Sequence, residues 1–286
     1  MNFHSTAQKE AHEKALKHPF KAVAFDVDGT LTHFARFVIP SFMAEALVAI
    51  PGNIPRAICT GRDLRFIHTQ LKHICGHSPE PQEEQERWTI FPENGSEGYR
   101  WNARKKDYES WFEVPWPKEP TMDTVEAYGK DKLGSQGVFL LREHTVVVRH
   151  PDWVYLSPKI TRYMSKRSHD KLKTLFHHNG WLEEFSIQDS GIGNVILPKE
   201  AGKGNAMQRW AKLMKLPLKD ILVVGDQPEE GGNDEDFISG RNGTGFTVGK
   251  TTPYIYPLPV FSSKDTRLTG PEGTAALLKQ VRWEEV

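Results

Sequence analysis

This chain of 286 residues is predicted to fold as an α/β protein, with a Rossmann-like parallel sheet interrupted by an inserted α+β unit. Three observations lead there. Short apolar runs at 21–25, 56–60, 88–91 and 220–225 alternate with helical stretches, as in a parallel sheet with helices on both faces. Acidic residues stand at the carboxyl ends of the first and last of these runs, where open parallel sheets bind ligands. Between 99 and 193 the alternation gives way to two strand pairs and two helices, and afterwards it resumes. The predicted division is a core over 1–98, an inserted cap over 99–193 and the rest of the core over 194–286.

Composition narrows the function classes. Lys plus Arg total 37 and Asp plus Glu total 37, a balance that argues against bulk nucleic-acid binding. No apolar run approaches membrane-spanning length, and the first residues lack the hydrophobic segment of a signal peptide. Cys59 and Cys75 have no metal-binding spacing and fall in apolar runs, so a reduced, cytoplasmic protein is expected rather than a disulfide scaffold. Nothing in the sequence sets an oligomeric state.

The elements follow in order. Residues 5–18 predict a short amphipathic helix or a frayed arm, and 21–25 the first strand. Ser41 is the expected N-cap of a helix whose apolar stripe is Phe42, Ala46, Leu47 and Ile50; Pro51 and Gly52 stop it. A second strand at 56–60 leads into a helix opened by Asp63. The polar, proline-broken stretch 78–87 reads as a surface loop, and 88–91 as a strand. In the insert, a helix near 121–133 precedes strands at 137–141 and 145–149 joined at Glu143-His144. A long helix over about 158–179 ends at Gly180, followed by strands at 181–187 and 194–197. A helix opening at 202–204, the strand 220–225, β-rich pieces at 245–248 and 259–261 and a helix over 273–281 complete the chain.

The chemistry concentrates at Asp26 and Asp28. In extended chain, residues i and i+2 point the same way, so the two carboxylates share a side. Two such acids repel unless something compensates, and a divalent cation is the usual remedy. One can serve as nucleophile while the other handles protons. Gly29 lets the chain turn.

Four motifs, DVDGTLT at 26–32, CTGR at 59–62, GKG at 202–204 and GDQPEEGGND at 225–234, together resemble the haloacid dehalogenase-like phosphatase superfamily. The resemblance covers 20–98 and 194–250. Asn94-Gly95 after a strand, followed by the α+β insert, is similar to the type IIB capped branch, which holds Cof-like sugar phosphatases and phosphomannomutases. Gly-Gly-Asn-Asp and Phe185-Ser-Ile187 look closest to phosphomannomutase, whereas Thr60-Gly61-Arg62 is the phosphatase-like form. The resemblance implies a Mg2+-dependent enzyme. Asp26 would be the nucleophile that forms an aspartyl-phosphate, and Asp28 the acid and base. Thr60, Gly61 and Lys203 would hold the phosphoryl group, with Lys203 also offsetting charge on the nucleophile. The metal would be held by Asp26, Asp28 through its backbone carbonyl, and Asp226, with Asn233 and Asp234 behind them. The stretch between Pro228 and Asn233 lengthens this loop relative to the shorter G-D-x-x-N-D spelling. Arg142 and Arg149, on expected cap strands, are the candidates for a substrate anion. The expected partner is a small phosphomonoester, a sugar phosphate in the first instance, with no nucleic acid or membrane. A phosphomutase, or a silent binding module on the same fold, are the alternatives.

Overall fold

The computed structural model describes residues 3–34 and 36–284. The chain opens with α1 (Thr6–Lys17), β1 (Pro19–Phe20), β2 (Ala22–Phe25), α2 (Ser41–Val48), β3 (Arg56–Cys59), α3 (Leu64–Cys75) and α4 (Pro81–Glu86). Then come β4 (Trp88–Phe91), β5 (Glu97–Asn102), β6 (Asp107–Glu113), α5 (Met122–Leu133), β7 (Val138–Leu141), β8 (Val146–Arg149) and α6 (Pro158–His178). After β9 (Phe185–Asp189) and β10 (Asn194–Pro198) follow α7 (Lys203–Met214), β11 (Ile221–Gly225), α8 (Glu235–Ile238), β12 (Thr244–Thr247), β13 (Leu258–Pro259), α9 (Gly270–Leu278) and β14 (Arg282–Trp283).

An eight-stranded sheet runs β13-β12-β11-β2-β3-β4-β5-β6. It is parallel from β13 to β4 and antiparallel at β5 and β6. Alternate residues of the central strands feed two cores, because side chains alternate across a strand. Val23, Phe25, Ile58, Leu222 and Val224 join Met43, Leu47, Ile67, Leu71 and Leu277 from α2, α3 and α9 on one face. Ala22, Ala24, Ala57, Ile221 and Val223 join Met207 and Trp210 of α7 and Phe237 of α8 on the other. Strands buried on both faces read as continuous apolar runs, which is why 220–225 stands out in the sequence.

The second sheet has the order β7-β8-β10-β9 and is antiparallel throughout. Helices α5 and α6 cover one face through Val125, Leu133, Leu172 and Phe176 against Phe139, Val148, Phe185 and Ile196. Thr121 and Ser157 cap the two helices by accepting from the amides of Thr124 and Ile160. The opposite face presents Val147 and Val195 toward the cleft with the first sheet.

Sheet membership moves both expected cap boundaries. Residue 99 lies inside β5, which hydrogen-bonds to β4, so the hairpin β5–β6 belongs to the large sheet. Its aromatic residues, Tyr99, Trp101 and Tyr108, pack on the first core. At the other end β10 starts at 194 but lies between β8 and β9 in the small sheet. The inserted unit is therefore bounded at about 114 and 200. Other expectations also shift. The first stripe is Met43, Ala44 and Leu47, with Phe42 42% exposed, because the helix starts on Ser41 itself after Pro40. Residues 181–183 form a 3-10 turn, so the strand begins at 185.

The stretch 78–87 is more than a surface loop. It contains α4, whose Glu84 is fully buried and accepts from Arg56 Nη1 at 2.5 Å, Trp88 Nε1 at 2.9 Å and Arg87 Nη1 at 3.0 Å. Arg56 on β3 is itself fully buried. A charge in that position needs a partner, and Glu84 supplies it. Cys59 and Cys75 are free thiols, both buried. Among the described residues no helix is long and apolar enough to cross a membrane.

Candidate active site

Strands β2 and β11 lie side by side at the point where the chain order reverses, with β3 and β4 to one side and β12 and β13 to the other. Ligands of open α/β sheets bind in the crevice at such a point. Asp26 follows directly on β2 and Asp226 on β11, so sheet register sets the two carboxylates next to each other. Gly29 takes φ +83°, and a Cβ there would lie 2.4 Å from Asp226 Oδ2. Glycine at this turn is what lets the first loop close onto the second acid. Gly225 does the same for Asp234: a Cβ would meet its Oδ2 at 2.7 Å.

Lys203, the first residue of α7, is fully buried between two acids. Its Nζ donates to Asp26 Oδ1 at 2.5 Å and to Asp234 Oδ1 at 2.7 Å. Asp234 Oδ2 in turn accepts from the backbone amides of Asp226 at 2.9 Å and Gln227 at 3.2 Å. Asp234 is thus fully occupied in holding Lys203 and the start of the loop. Burial, reinforced by the Asp234 and Asp28 charges, pushes the Asp26 carboxyl up to about 7 despite Lys203. Burial, with Asp234 and Asp26 beside it, also holds the Asp226 carboxyl well above the usual carboxylate range. The Lys203 ammonium is raised instead, since attraction to Asp234 and Asp26 outweighs a large desolvation cost.

Three carboxylates, Asp26, Asp226 and Asp234, come within 4.8 Å of one another. Asp226 Oδ1 and Asn233 Oδ1 are buried without any hydrogen-bond partner, which is costly unless something else ligates them. One lysine against three buried acids leaves negative charge, and an all-oxygen donor set of this kind fits a hard cation such as Mg2+. The side chain of Asp28 is not in this group. It turns to Arg62, whose Nε and Nη2 donate to Oδ2 and Oδ1 at 2.8 and 2.6 Å. The clustered carboxylates are thus Asp26, Asp226 and Asp234, and the expected contribution of Asp28 to a metal, through its backbone carbonyl, leaves its side chain free for Arg62.

A cleft of about 80 Å³ lies between the two sheets, and Asp26, Asp28, Gly61, Arg142, Arg149 and Asn233 all line it. Thr60 is buried behind it, with its hydroxyl accepting from the Arg62 amide at 3.2 Å. Arg142 donates to the Gly61 carbonyl at 2.5 Å, and Arg149 lies 5.2 Å over the Trp153 ring. Neither has a carboxylate partner among the described residues. Drug-sized ligand pockets run to roughly 300–1,000 Å³, so the cleft between cap and core is narrow over the acids.

Several residues of this site carry no role that the sequence predicts. Arg62 was visible only as the end of CTGR. Asn94 also lines the cleft, with both side-chain polar atoms buried and unpartnered, at φ +55° beside Glu93 at +46°. Two consecutive non-glycine residues in that region store strain, which collects at functional sites. The Asn-Gly after a strand was the signal available. Gln227 Nε2 donates to the Ser190 carbonyl across the seam at 2.9 Å, a contact with no sequence signature.

The lengthened loop after β11 also has its place. Gly231 accepts from the Asp189 amide at 2.7 Å, and Asp189 accepts from the Asn233 amide at 3.1 Å. The loop thereby forms an isolated bridge to the last residue of β9. A larger groove of about 930 Å³ opens between α6 and this loop, bordered by Arg162, Lys166, Glu229 and Lys250; it shares Gln227 with the cleft but none of the clustered acids.

Residues 187–256 match the family model for sucrose-6F-phosphate phosphohydrolase. No curated protein gives a match. Among solved structures, a C-terminally truncated IMP-nucleotidase from Plasmodium falciparum superposes with TM-score 0.62 at 14% identity, over 98% of this chain and 76% of that one. A haloacid dehalogenase-like hydrolase from Bacteroides thetaiotaomicron gives 0.61 at 14%, over 91% and 99%. Thermoplasma acidophilum 0175 gives 0.60 at 16%, over 92% and 98%. At these identities the likeness is one of fold, and that fold is the one the four motifs imply: a haloacid dehalogenase-like core carrying a cap.

Proposed function

We propose that this chain, haloacid dehalogenase-like in fold, is a magnesium-dependent phosphatase acting on a small phosphomonoester, with a sugar phosphate as the first candidate. The observation that carries the reading is the Asp26–Lys203–Asp234 arrangement beside Asp226, at the crevice where the sheet changes direction. Asp26 and Asp226, with the Asp28 backbone carbonyl, would hold the ion. When bound it offsets the repulsion between phosphoryl oxygens and Asp26.

The chain's own residues do the rest. Lys203 fixes one oxygen of Asp26, leaving the other free to attack phosphorus in line. The Gly61 region and Asn94 face the cleft and can take phosphoryl oxygens. Asp28, protonated as it leaves Arg62, gives that proton to the departing alkoxide, leaving an aspartyl-phosphate on Asp26. It then takes a proton from the water that attacks that phosphorus, which releases inorganic phosphate and regenerates Asp26. Asp28 must leave Arg62, or share it with substrate, to reach the leaving oxygen. Cap closure excludes bulk water from the first step.

A screen of phosphorylated metabolites with magnesium, assayed for free phosphate, tests the reading. Absence of turnover for every phosphomonoester, with magnesium present, would count against it. One observation favours a phosphomutase as a second reading. Arg62, Arg142 and Arg149 line one cleft, and paired guanidiniums can grip a second phosphate. Interconversion of sugar 1- and 6-phosphates without phosphate release would establish that alternative.

A further inference from the structure

A second cluster of metal-ligating groups lies on the seam between cap and core and shares no residue with the first. The turn joining β7 to β8 carries Glu143 and His144, closed by the Arg142 amide donating to the Thr145 carbonyl at 2.9 Å. Glu97 opens β5 in the large sheet. One donor atom from each of Glu97, Glu143 and His144 falls within 4.8 Å of the others. His144 is 6% exposed, and its Nε2 has no hydrogen-bond partner. That nitrogen points to Glu97 Oε2 at 3.8 Å, too far for a hydrogen bond. A buried ring nitrogen left in this state is costly.

The surroundings hold the donors in place. Thr145 Oγ1 and the His144 amide donate to Glu93 Oε2 at 2.7 and 3.3 Å, which anchors the turn on the core. Tyr99 Oη donates to Glu97 Oε2 and orients that carboxylate, as second partners of metal-ligating carboxylates do. Glu143 is exposed and free to swing inward. Tetrahedral ligands around zinc stand about 3.4 Å apart, so a modest inward movement of Glu143 and His144 completes three of four positions.

We propose that Glu97, Glu143 and His144 form a site for a first-row divalent metal of the zinc class, which pins the cap hairpin to the core sheet. One imidazole nitrogen with two carboxylates suits zinc, cobalt or manganese rather than magnesium. Two ligands come from the cap and one from the core, so the bound ion opposes cap opening. The binding itself does not depend on the phosphatase reading. Only its consequence, slower exchange of substrate and product, does.

The experiment uses metal-free full-length protein with excess magnesium to fill the aspartate cluster. Zinc binding is measured by equilibrium dialysis, and cobalt binding by its visible spectrum, in the wild type, Glu143→Gln and His144→Gln. Glu143 is exposed, so its variant keeps the fold, as circular dichroism checks. The expected result is one tight zinc equivalent and a nitrogen-ligand cobalt spectrum in the wild type. Both variants should bind more weakly, on the order of tenfold or more. Zinc should also slow hydrogen exchange at residues 142–146 in the wild type alone. Equal zinc affinity in all three proteins, no tight equivalent in the wild type, or a loss confined to His144→Gln overturns the site.

Discussion

Arg62 holds Asp28 by both carboxylate oxygens, through Nε at 2.8 Å and Nη2 at 2.6 Å. The pair joins the first and second motifs across the cleft. A planar fork of this kind fixes direction as well as charge. The residue assigned to move protons is therefore presented at the cleft by a residue of the neighbouring loop, from which it turns to the leaving oxygen. Arg62→Ala should lower kcat by roughly 10- to 100-fold, less than the full loss of acid–base assistance, because Asp28 itself remains. Global stability should change little, because the pair is partly solvated. Steady-state kinetics and thermal melts check both, and Arg62→Lys should recover only part of kcat.

Asp26→Asn should abolish turnover while leaving the fold intact, since an amide cannot attack phosphorus as a carboxylate does. It also removes one acid from a group of three that repel one another. In excess chelator the variant should melt no lower than the wild type. Residual activity of a tenth in a folded variant would falsify the assignment of the nucleophile.

Glu84→Ala should cost roughly 3–5 kcal/mol, the range for stranding the other half of a buried ion pair. The stranded group is Arg56, fully buried on β3 with only the Ile50 carbonyl left as acceptor among the described residues. Urea unfolding measures the loss. Substituting the exposed Glu83 in the same helix should change stability by less than about 0.5 kcal/mol.

The pH dependence of stability should show His12. Its ring lies 5.8 Å from those of Phe246 and Phe261, and burial lowers its pKa from the ordinary 6.5, against the opposing pull of Glu13 and the Pro259 backbone. Below pH 6.5 the unfolded chain takes up the proton and the folded one resists it. The stability this group contributes is thus present above that value and is lost as pH falls toward the lowered one. Melting temperatures at about pH 8 and about pH 5 should fall further apart in the wild type than in His12→Leu. Equal differences would remove His12 from the account.

The acids at strand ends were legible in the sequence because each follows an uninterrupted apolar run, and register alone then brings Asp26 and Asp226 together. Lys203 was found by its motif, yet its bond to Asp234 depends on α7 and α8 packing from the same face, which no local pattern reports. The β5–β6 hairpin was hidden because Trp101 and Trp111 sit among charges and its strands cover the edge of a sheet whose other members are parallel. The burial of Glu84 is hidden because the stretch 78–87 around it is polar and proline-broken, while its partner Arg56 lies far away in sequence. The clasp between Arg62 and Asp28 joins two loops, so its geometry appears only once β2 and β3 are paired.

The bridge between Gly232 and Asp189 makes the cap and the loop after β11 a matched set. Two main-chain hydrogen bonds of that bridge come from residues that shorter versions of the loop lack or displace. Grafting the inserted unit onto a core with the short spelling would leave Asp189 with an unanswered amide. Transplanting the loop alone would leave Gly231 facing a foreign hinge. Chimeras between this chain and its structural relatives should therefore work only when both pieces travel together.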